Sequence, residues 1–410
     1  MKGNVIVGQS GGPTAAINAS IAGVYCGAVE CGAPKVYGMC NGIQGLLEER
    51  FVDLNEALPT QLEVELLKRT PSAYLGSCRY KLPDYEASPE TFEKIFEIIR
   101  KLNIECFCYT GGNDSMDTIR KLSDYAKERG ITDIKFMGVP KTIDNDLPVT
   151  DHTPGFGSAA KYIATSLKEI ISDTQCLPYS KGMVTVVEVM GRNAGWLTGA
   201  AALCKGEDCI GPDMIYLPET NFDLDNFTAR IKELIATKGF AVAVVSEGVH
   251  LADGRYVCEL GGGADFVDAF GHKQLTGTAG FLARHLGAVL GCKTRAIEFS
   301  TLQRAGGHLA SETDINESFA VGAAAVRAAD KGITGQMVTI DRVGEHPYES
   351  TTGLCDVHNV ANLEKTVPAE WITEDGTYVT EEFINYVRPL IQGEMSHIMV
   401  NGLPRYLLRK

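Results

Sequence analysis

The sequence predicts an α/β fold of doubly wound, largely parallel sheets, on three observations. Short apolar runs alternate with stretches of helical period along most of the chain. The runs are continuous and β-branched rather than alternating, as strands covered on both faces must be. The chain has 410 residues, more than one hydrophobic core normally serves, so two lobes are expected. Strand–helix alternation of this kind implies right-handed crossovers and Rossmann-like lobes.

Asn4–Gly8 (NVIVG) reads as a buried strand and Ala15–Glu30 as the helix after it. Glu105–Thr110 (ECFCYT) is a second strand, stopping at Gly111-Gly112, with a helix over Ser115–Arg129. Ile134–Pro140 gives a third, followed by a polar loop and the helical stretch Ala159–Ser172. Met183–Met190, Met214–Leu217, Phe240–Ser246 and Thr294–Ser300 read as further strands, each with a helix-like segment behind it. No internal repeat and no proline-rich linker marks a boundary. The polar segment Leu147–Pro154 is a candidate crossing between lobes, dividing 1–150 plus about 304–350 from about 151–303. The chain past Asp341 is less patterned, and about 351–410 reads as a C-terminal extension.

Composition narrows the function. Hydrophobic residues make up 44% and charged residues 22%, ordinary for a globular enzyme. A net charge of −14 argues against general nucleic-acid or anionic-membrane binding, but not against a phosphorylated substrate met by a local basic cluster. The 12 cysteines lack paired C-x-x-C spacing, which suits reduced, mostly buried thiols in the cytoplasm. The start, MKGNVIVGQSGG, reaches glycines too soon for a signal peptide, and no apolar run is long enough to cross a membrane.

In doubly wound folds ligands sit beyond the carboxyl ends of strands, so the residues just after each apolar run are the informative ones. Gly8-Gln9-Ser10-Gly11-Gly12 is either a phosphate cradle of backbone amides or a tight turn without ligand; no Gly-Lys-Ser/Thr follows, so it is not a P-loop. Gly111-Gly112-Asn113-Asp114-Ser115 repeats the theme, with Ser115 equally suited to a helix N-cap. Pro140-Lys141-Thr142-Ile143-Asp144-Asn145-Asp146 is the most telling. Its two aspartates and lysine crowd charge at a cost unless a cation and phosphate use it, though Asp-Asn-Asp alone also suits a solvated turn. Phosphoryl transfer needs a base, a metal and fixed positive charge, and all three residue types occur in this heptad. Met190-Gly191-Arg192 follows a long apolar strand, and Ser246-Glu247-Gly248 offers a carboxylate for sugar hydroxyls. Lys293-Thr294-Arg295 and Leu302-Gln303-Arg304 add arginines whose alternative use is surface ion pairing. Six loops suited to anions point to a phosphorylated ligand.

These residues, in this order, resemble the phosphofructokinase family, over roughly three quarters of the chain to about Gly307. PKTIDND and VVEVMGR are the specific signatures, and Leu75-Gly76-Ser77-Cys78-Arg79 resembles a further family segment. The resemblance implies an active site between the lobes. It makes Asp144 the base that deprotonates the 1-hydroxyl of fructose 6-phosphate, with Thr142 and Ile143 beside the sugar and the moving phosphate. Asp146, with Asn113, would support Mg2+. Gly11, Gly12 and Arg79 would contact the donor. Met190, Gly191 and Arg192 would hold the sugar phosphate, Glu247 its hydroxyls, and Arg295 and Arg304 its 6-phosphate. Some family arginines come from a neighbouring subunit, so a homodimer or homotetramer is implied.

Donor choice turns on two positions. ATP-using members have glycine where this chain has Asp114, and commonly glycine where it has Lys141. Asp114 would occupy and repel the space of a nucleotide α-phosphate, while Lys141 adds the charge that pyrophosphate and its leaving phosphate need. This pairing is the family's pyrophosphate pattern. Three positions depart from the family. Asn113 replaces a carboxylate, Thr301 a histidine or tyrosine, and Met183 an arginine, with Lys181 nearby. Two alternatives stand beside this reading. One is an ATP-dependent kinase, or a kinase of another sugar phosphate such as sedoheptulose 7-phosphate. The other is a non-catalytic regulatory subunit, against which the intact Asp144, Asp146 and Arg192 set argues.

Overall fold

The computed structural model describes residues 1–176, 180–262 and 275–409. In chain order its strands are β1 (Asn4–Gln9), β2 (Val36–Met39), β3 (Phe51–Asp53), β4 (Ile104–Gly111) and β5 (Lys135–Pro140). There follow β6 (Met183–Val189), β7 (Met214–Tyr216), β8 (Phe240–Ser246), β9 (Lys293–Glu298), β10 (Gln336–Glu345) and β11 (Tyr348–Asp356). β12 (Met399–Val400) and β13 (Leu403–Pro404) close the series. The chain divides into two compact units. One holds 1–158, 304–364 and 392–410, the other 159–303 and 365–391. Leu147–Pro154 therefore lies inside the first unit, and the residues past 351 are shared between both.

The first unit is built on a seven-stranded sheet ordered β11-β10-β5-β4-β1-β2-β3. β1 pairs in parallel with β2 and β4, β4 with β5, and β5 with the start of β10; β3 and β11 are antiparallel edges. Successive residues of the central strands point to opposite faces, and both faces are covered. Ile6, Phe107 and Phe136 enter one core with Phe92, Ile95, Phe96 and Ile99 of the helix Pro89–Lys101. Val5, Val7, Cys106, Cys108 and Val139 enter another, against the helices Ile17–Glu30 and Glu312–Asp330. This two-sided burial is why the strands read as unbroken apolar runs. The two helices cross closely because their contact residues are small: a Cβ at Gly23 would lie 2.0 Å from the Phe319 carbonyl oxygen.

The second unit carries a four-stranded parallel sheet ordered β7-β8-β6-β9. Val184, Val186, Ala243, Val245 and Phe227 form its core. β9 lies at the edge with each residue at least partly exposed. Every strand expected from the sequence is present, within a residue or two at most of its ends. The hairpin β10–β11 occupies the stretch that reads as weakly patterned. Its outer half is exposed on alternate residues, so no apolar run marks it. Among the described residues no helix is long and apolar enough to cross a membrane, and all 12 cysteines are free thiols.

Candidate active site

Three strand-end loops of the first unit converge. β1, β4 and β5 are adjacent and parallel, so their carboxyl ends lie side by side and bring 10–12, 111–115 and 140–146 together. Backbone bonds fix the arrangement: Ser10 N–H donates to Thr110 O (3.0 Å) and Lys141 N–H to Gly111 O (3.0 Å). The hydroxyls of Ser10 and Ser115 hydrogen-bond across the first two loops. Gly11 has φ +75°, a left-handed conformation that favours glycine, and a Cβ there would stand 3.2 Å from Lys141 Nζ.

Lys141 occupies the junction. It is 3% exposed, and its ammonium donates to the Gly12 carbonyl at 2.8 Å. Burial draws its pKa down to about 8 against the pull of the Asp144 and Asp146 carboxylates, and Arg304 adds to the lowering. Asp146 is pushed up to about 7, by burial first and then by the negative charges of Asp144 and Glu364. A buried cation thus sits among crowded carboxylates, a state that costs stability and that perturbed groups at functional sites commonly display.

Asp144 carries a local bond from its own N–H to Thr142 Oγ1 (3.1 Å). Ile143 is buried, and Thr142 is tied by its N–H to Pro154 O at 3.2 Å. Asp114 lies in the first turn of the helix Asn113–Glu128, exposed. Asn113 Nδ2 approaches Asp146 Oδ2 at 3.4 Å, and the other oxygens, Asn113 Oδ1 and Asp146 Oδ1, are buried without a hydrogen-bond partner. Two enclosed acceptors side by side suit a hard divalent cation. Among the described residues no three His, Cys, Asp or Glu side chains gather to hold a metal. An ion here would therefore rest on Asp146, Asn113, water and oxygens brought by a ligand, as magnesium ordinarily does. Arg304 reaches the same place, since a Cβ on Gly12 would lie 3.3 Å from its Nη1. Arg79 is exposed at the end of an irregular segment whose Cys78 carbonyl accepts from Gly11 N–H at 3.2 Å.

The second unit assembles its own group. β6 and β8 are parallel neighbours, and the loops beyond them meet. Gly191 N–H faces Glu247 Oε1 at 3.5 Å, Ser246 Oγ bonds to Gly191 O, and Met190 N–H donates to Gln303 Oε1 at 3.2 Å. Arg192 rises from the same turn. Gly248 must lack a side chain, because a Cβ there would fall 1.9 Å from the Arg192 carbonyl oxygen. Arg295 falls in the strand expected over Thr294–Ser300 and not in a loop beyond a strand's end, where its grouping with the anion-suited loops would put it. It lies inside β9, opposite Thr185 in the β6–β9 register, and forms an ion pair with Asp173.

Several supporting residues escape sequence reasoning. Asn145, fully buried between the two aspartates with φ +53°, accepts from Thr153 N–H at 3.0 Å and so folds the heptad back on itself. Asparagine tolerates this left-handed conformation better than most residues, the one signal that could have found it. Asp314, on the helix Glu312–Asp330, accepts from Gly155 N–H (2.8 Å) and Ser158 N–H (3.0 Å) and anchors the far end of the loop. Asp314 is far away in sequence, and nothing in its surroundings there marks it.

Comparison with known proteins agrees with this geometry. The family model described as Phosphofructokinase matches residues 4–329. The chain is 41% identical over 409 residues to a pyrophosphate–fructose 6-phosphate 1-phosphotransferase of Xanthomonas campestris, covering 100% of this chain and 96% of that protein. A protein of the same name from Halomonas elongata is 41% identical over 404 residues, 98% of this chain and 95% of that one. Among solved structures, the pyrophosphate-dependent phosphofructokinase of Nitrosospira multiformis superposes with a TM-score of 0.88 at 37% identity, covering 98% of this chain and 95% of that one. A match from the first strand to the end of the helix that carries Asp314, with the strand-end loops inside it, places this chain in the phosphofructokinase family.

Proposed function

We propose that the protein transfers a phosphoryl group reversibly between pyrophosphate and the 1-hydroxyl of fructose 6-phosphate. The observation that carries the reading is the enclosed Lys141, its ammonium on Gly12 O and beside Asp144 and Asp146, next to the loop that bears Asp114. Asp144 takes the proton from the sugar hydroxyl as it attacks. Lys141, together with the amides of Gly11 and Gly12 and with Arg79, holds the diphosphate and the charge that develops on it. Asp114 stands on the first turn of its helix, where its carboxylate repels the α-phosphate of a nucleotide. Met190, Gly191, Arg192 and Glu247 bind the sugar phosphate, with Thr142 and Ile143 alongside. Arg295 and Arg304 are assigned to the 6-phosphate, and a partner subunit of a homodimer or homotetramer completes that clamp. Mg2+ held by Asp146 and Asn113 would neutralise phosphate charge when bound. Twelve free thiols suit a cytoplasmic enzyme.

The test is the initial rate with fructose 6-phosphate and magnesium, pyrophosphate being compared with ATP at equal concentration. Turnover with pyrophosphate at least a hundredfold faster is expected. Preference for ATP would overturn the roles of Asp114 and Lys141, and silence with both would overturn the substrate.

A further inference from the structure

The segment 70–79, which leads to Arg79, has no helix or strand of its own; Tyr74 and Leu75 anchor it in the core, and its register is fixed by the bonds made to it. On its inner side it is joined to the donor turn. Ser77 Oγ donates to Gly11 O (2.5 Å), Leu75 N–H to Gln9 Oε1 (2.9 Å) and Ser72 N–H to Thr14 O (3.0 Å). On its outer side it meets the last stretch of the chain. Leu407 N–H donates to Thr70 Oγ1 at 2.9 Å, and Arg409 Nη1 to the Leu75 carbonyl at 2.7 Å. Just before the segment, Arg69 Nε donates to Ser396 O at 2.8 Å.

The stretch 392–409 is fixed at its other end as well. Thr313 N–H donates to Gln392 O at 3.2 Å, and Met395 packs against the cluster of Ala15, Ala16 and Ala19, at the start of the helix behind Gly11-Gly12, with Ile315 of the helix Glu312–Asp330. Leu403 and Leu408 are 70% and 81% exposed. The stretch is thus held by directed bonds together with the packing of Met395 and Leu407, and the bonds converge on the two segments that flank Gly11, Gly12 and Arg79. Leu75 O is the focus, since it also accepts from Asn41 N–H at 2.9 Å.

We propose that the stretch 392–409 is a strap that sets the position of the donor-binding segments, with Arg409 as a positioning residue for pyrophosphate. Arg409 touches no substrate; it holds Leu75 in place and, through Ser77 and Cys78, the register of Arg79 against Gly11. The proposal rests on pyrophosphate being the donor.

The experiment measures KM for each substrate and kcat in Arg409→Ala, in Arg409→Lys and in a chain stopped after Tyr406. A bond from a charged donor is worth a moderate amount, so Arg409→Ala should raise KM for pyrophosphate about fivefold. KM for fructose 6-phosphate should stay within about twofold, Arg409→Lys should recover most of the loss, and the shortened chain should lose about tenfold or more. Hydrogen–deuterium exchange of the 72–79 amides should quicken in Arg409→Ala whichever donor the enzyme uses, which separates the strap from the donor assignment. An unchanged KM for pyrophosphate in both Arg409→Ala and the shortened chain would overturn the strap. So would equal rises for both substrates alongside a lower melting temperature, or unchanged exchange at 72–79. Wild-type protein without pyrophosphate turnover would overturn the donor assignment instead.

Discussion

Replacing Lys141 with Met removes a charge that the folded chain holds at a cost. Carrying an ammonium from its ordinary 10.5 down to about 8 costs on the order of 3 kcal/mol at neutral pH. The sign follows from proton binding. Between about 8 and 10.5 the unfolded chain holds a proton that the folded chain has lost, so this group's penalty is full below 8 and fades as pH rises towards 10.5. A methionine keeps the stem's packing and removes the buried charge. In metal-free buffer with chelator, Lys141→Met should therefore be more stable than wild type by up to about 3 kcal/mol, several degrees in melting temperature. The same change should lower turnover with pyrophosphate by about 10²–10³-fold, because the fixed charge facing the diphosphate is gone. Pyrophosphate should raise the melting temperature of wild type clearly and that of the variant little. Thermal unfolding with and without pyrophosphate, beside initial rates, measures all three. A ligand-free variant melting below wild type, or equal stabilisation of both proteins by pyrophosphate, would refute the reasoning.

Asp144→Ser should reduce kcat by about 10²–10⁴-fold while fructose 6-phosphate still binds, measured calorimetrically; intact turnover would remove Asp144 as the base. His152 is fully enclosed, its ring nitrogens each 2.7 Å from Asp151 Oδ2 and Glu317 Oε2. Burial alone would lower its pKa, but these bonds and charges outweigh it and raise the value to about 9. The stabilisation, on the order of 3 kcal/mol, is full below 6.5 and is lost as pH rises through 9. Between pH 6 and 9.5 wild type should thus lose more stability in urea titrations than His152→Gln, and parallel losses would contradict the assignment. Gly248→Ala drives a methyl into the Arg192 carbonyl and must displace that turn. KM for fructose 6-phosphate should rise at least about tenfold with KM for pyrophosphate little changed, since misplaced binding groups cost orders of magnitude. A normal sugar KM would detach the turn from substrate binding.

The central strands and their loops were legible in the sequence for opposite reasons. Val5 to Val7 and Cys106 to Cys108 obey the rule for strands buried on both faces, so the sheets announced themselves. Lys141, Asp144 and Asp146 break the rule against crowding charge, and a local violation with no structural return is how a ligand site appears in sequence. Neither signal exists for the supporting shell. Asp314 holds the loop after β5 through backbone amides, and Asn145 through Thr153 N–H, partners any residue supplies. The hairpin β10–β11 lies at the sheet edge, where exposed positions hold Val343, Glu345 and Glu349 alike. The strap over residues 70–79 is the extreme case, because Ser396 O and Leu407 N are main-chain atoms. Side chains that meet substrate are constrained in kind and leave a pattern, whereas those that hold them need only an atom in the right place. The precision of a site like this one is therefore set by residues whose identity says little, and their contribution emerges only when bonds such as that of Arg409 to Leu75 are cut one at a time.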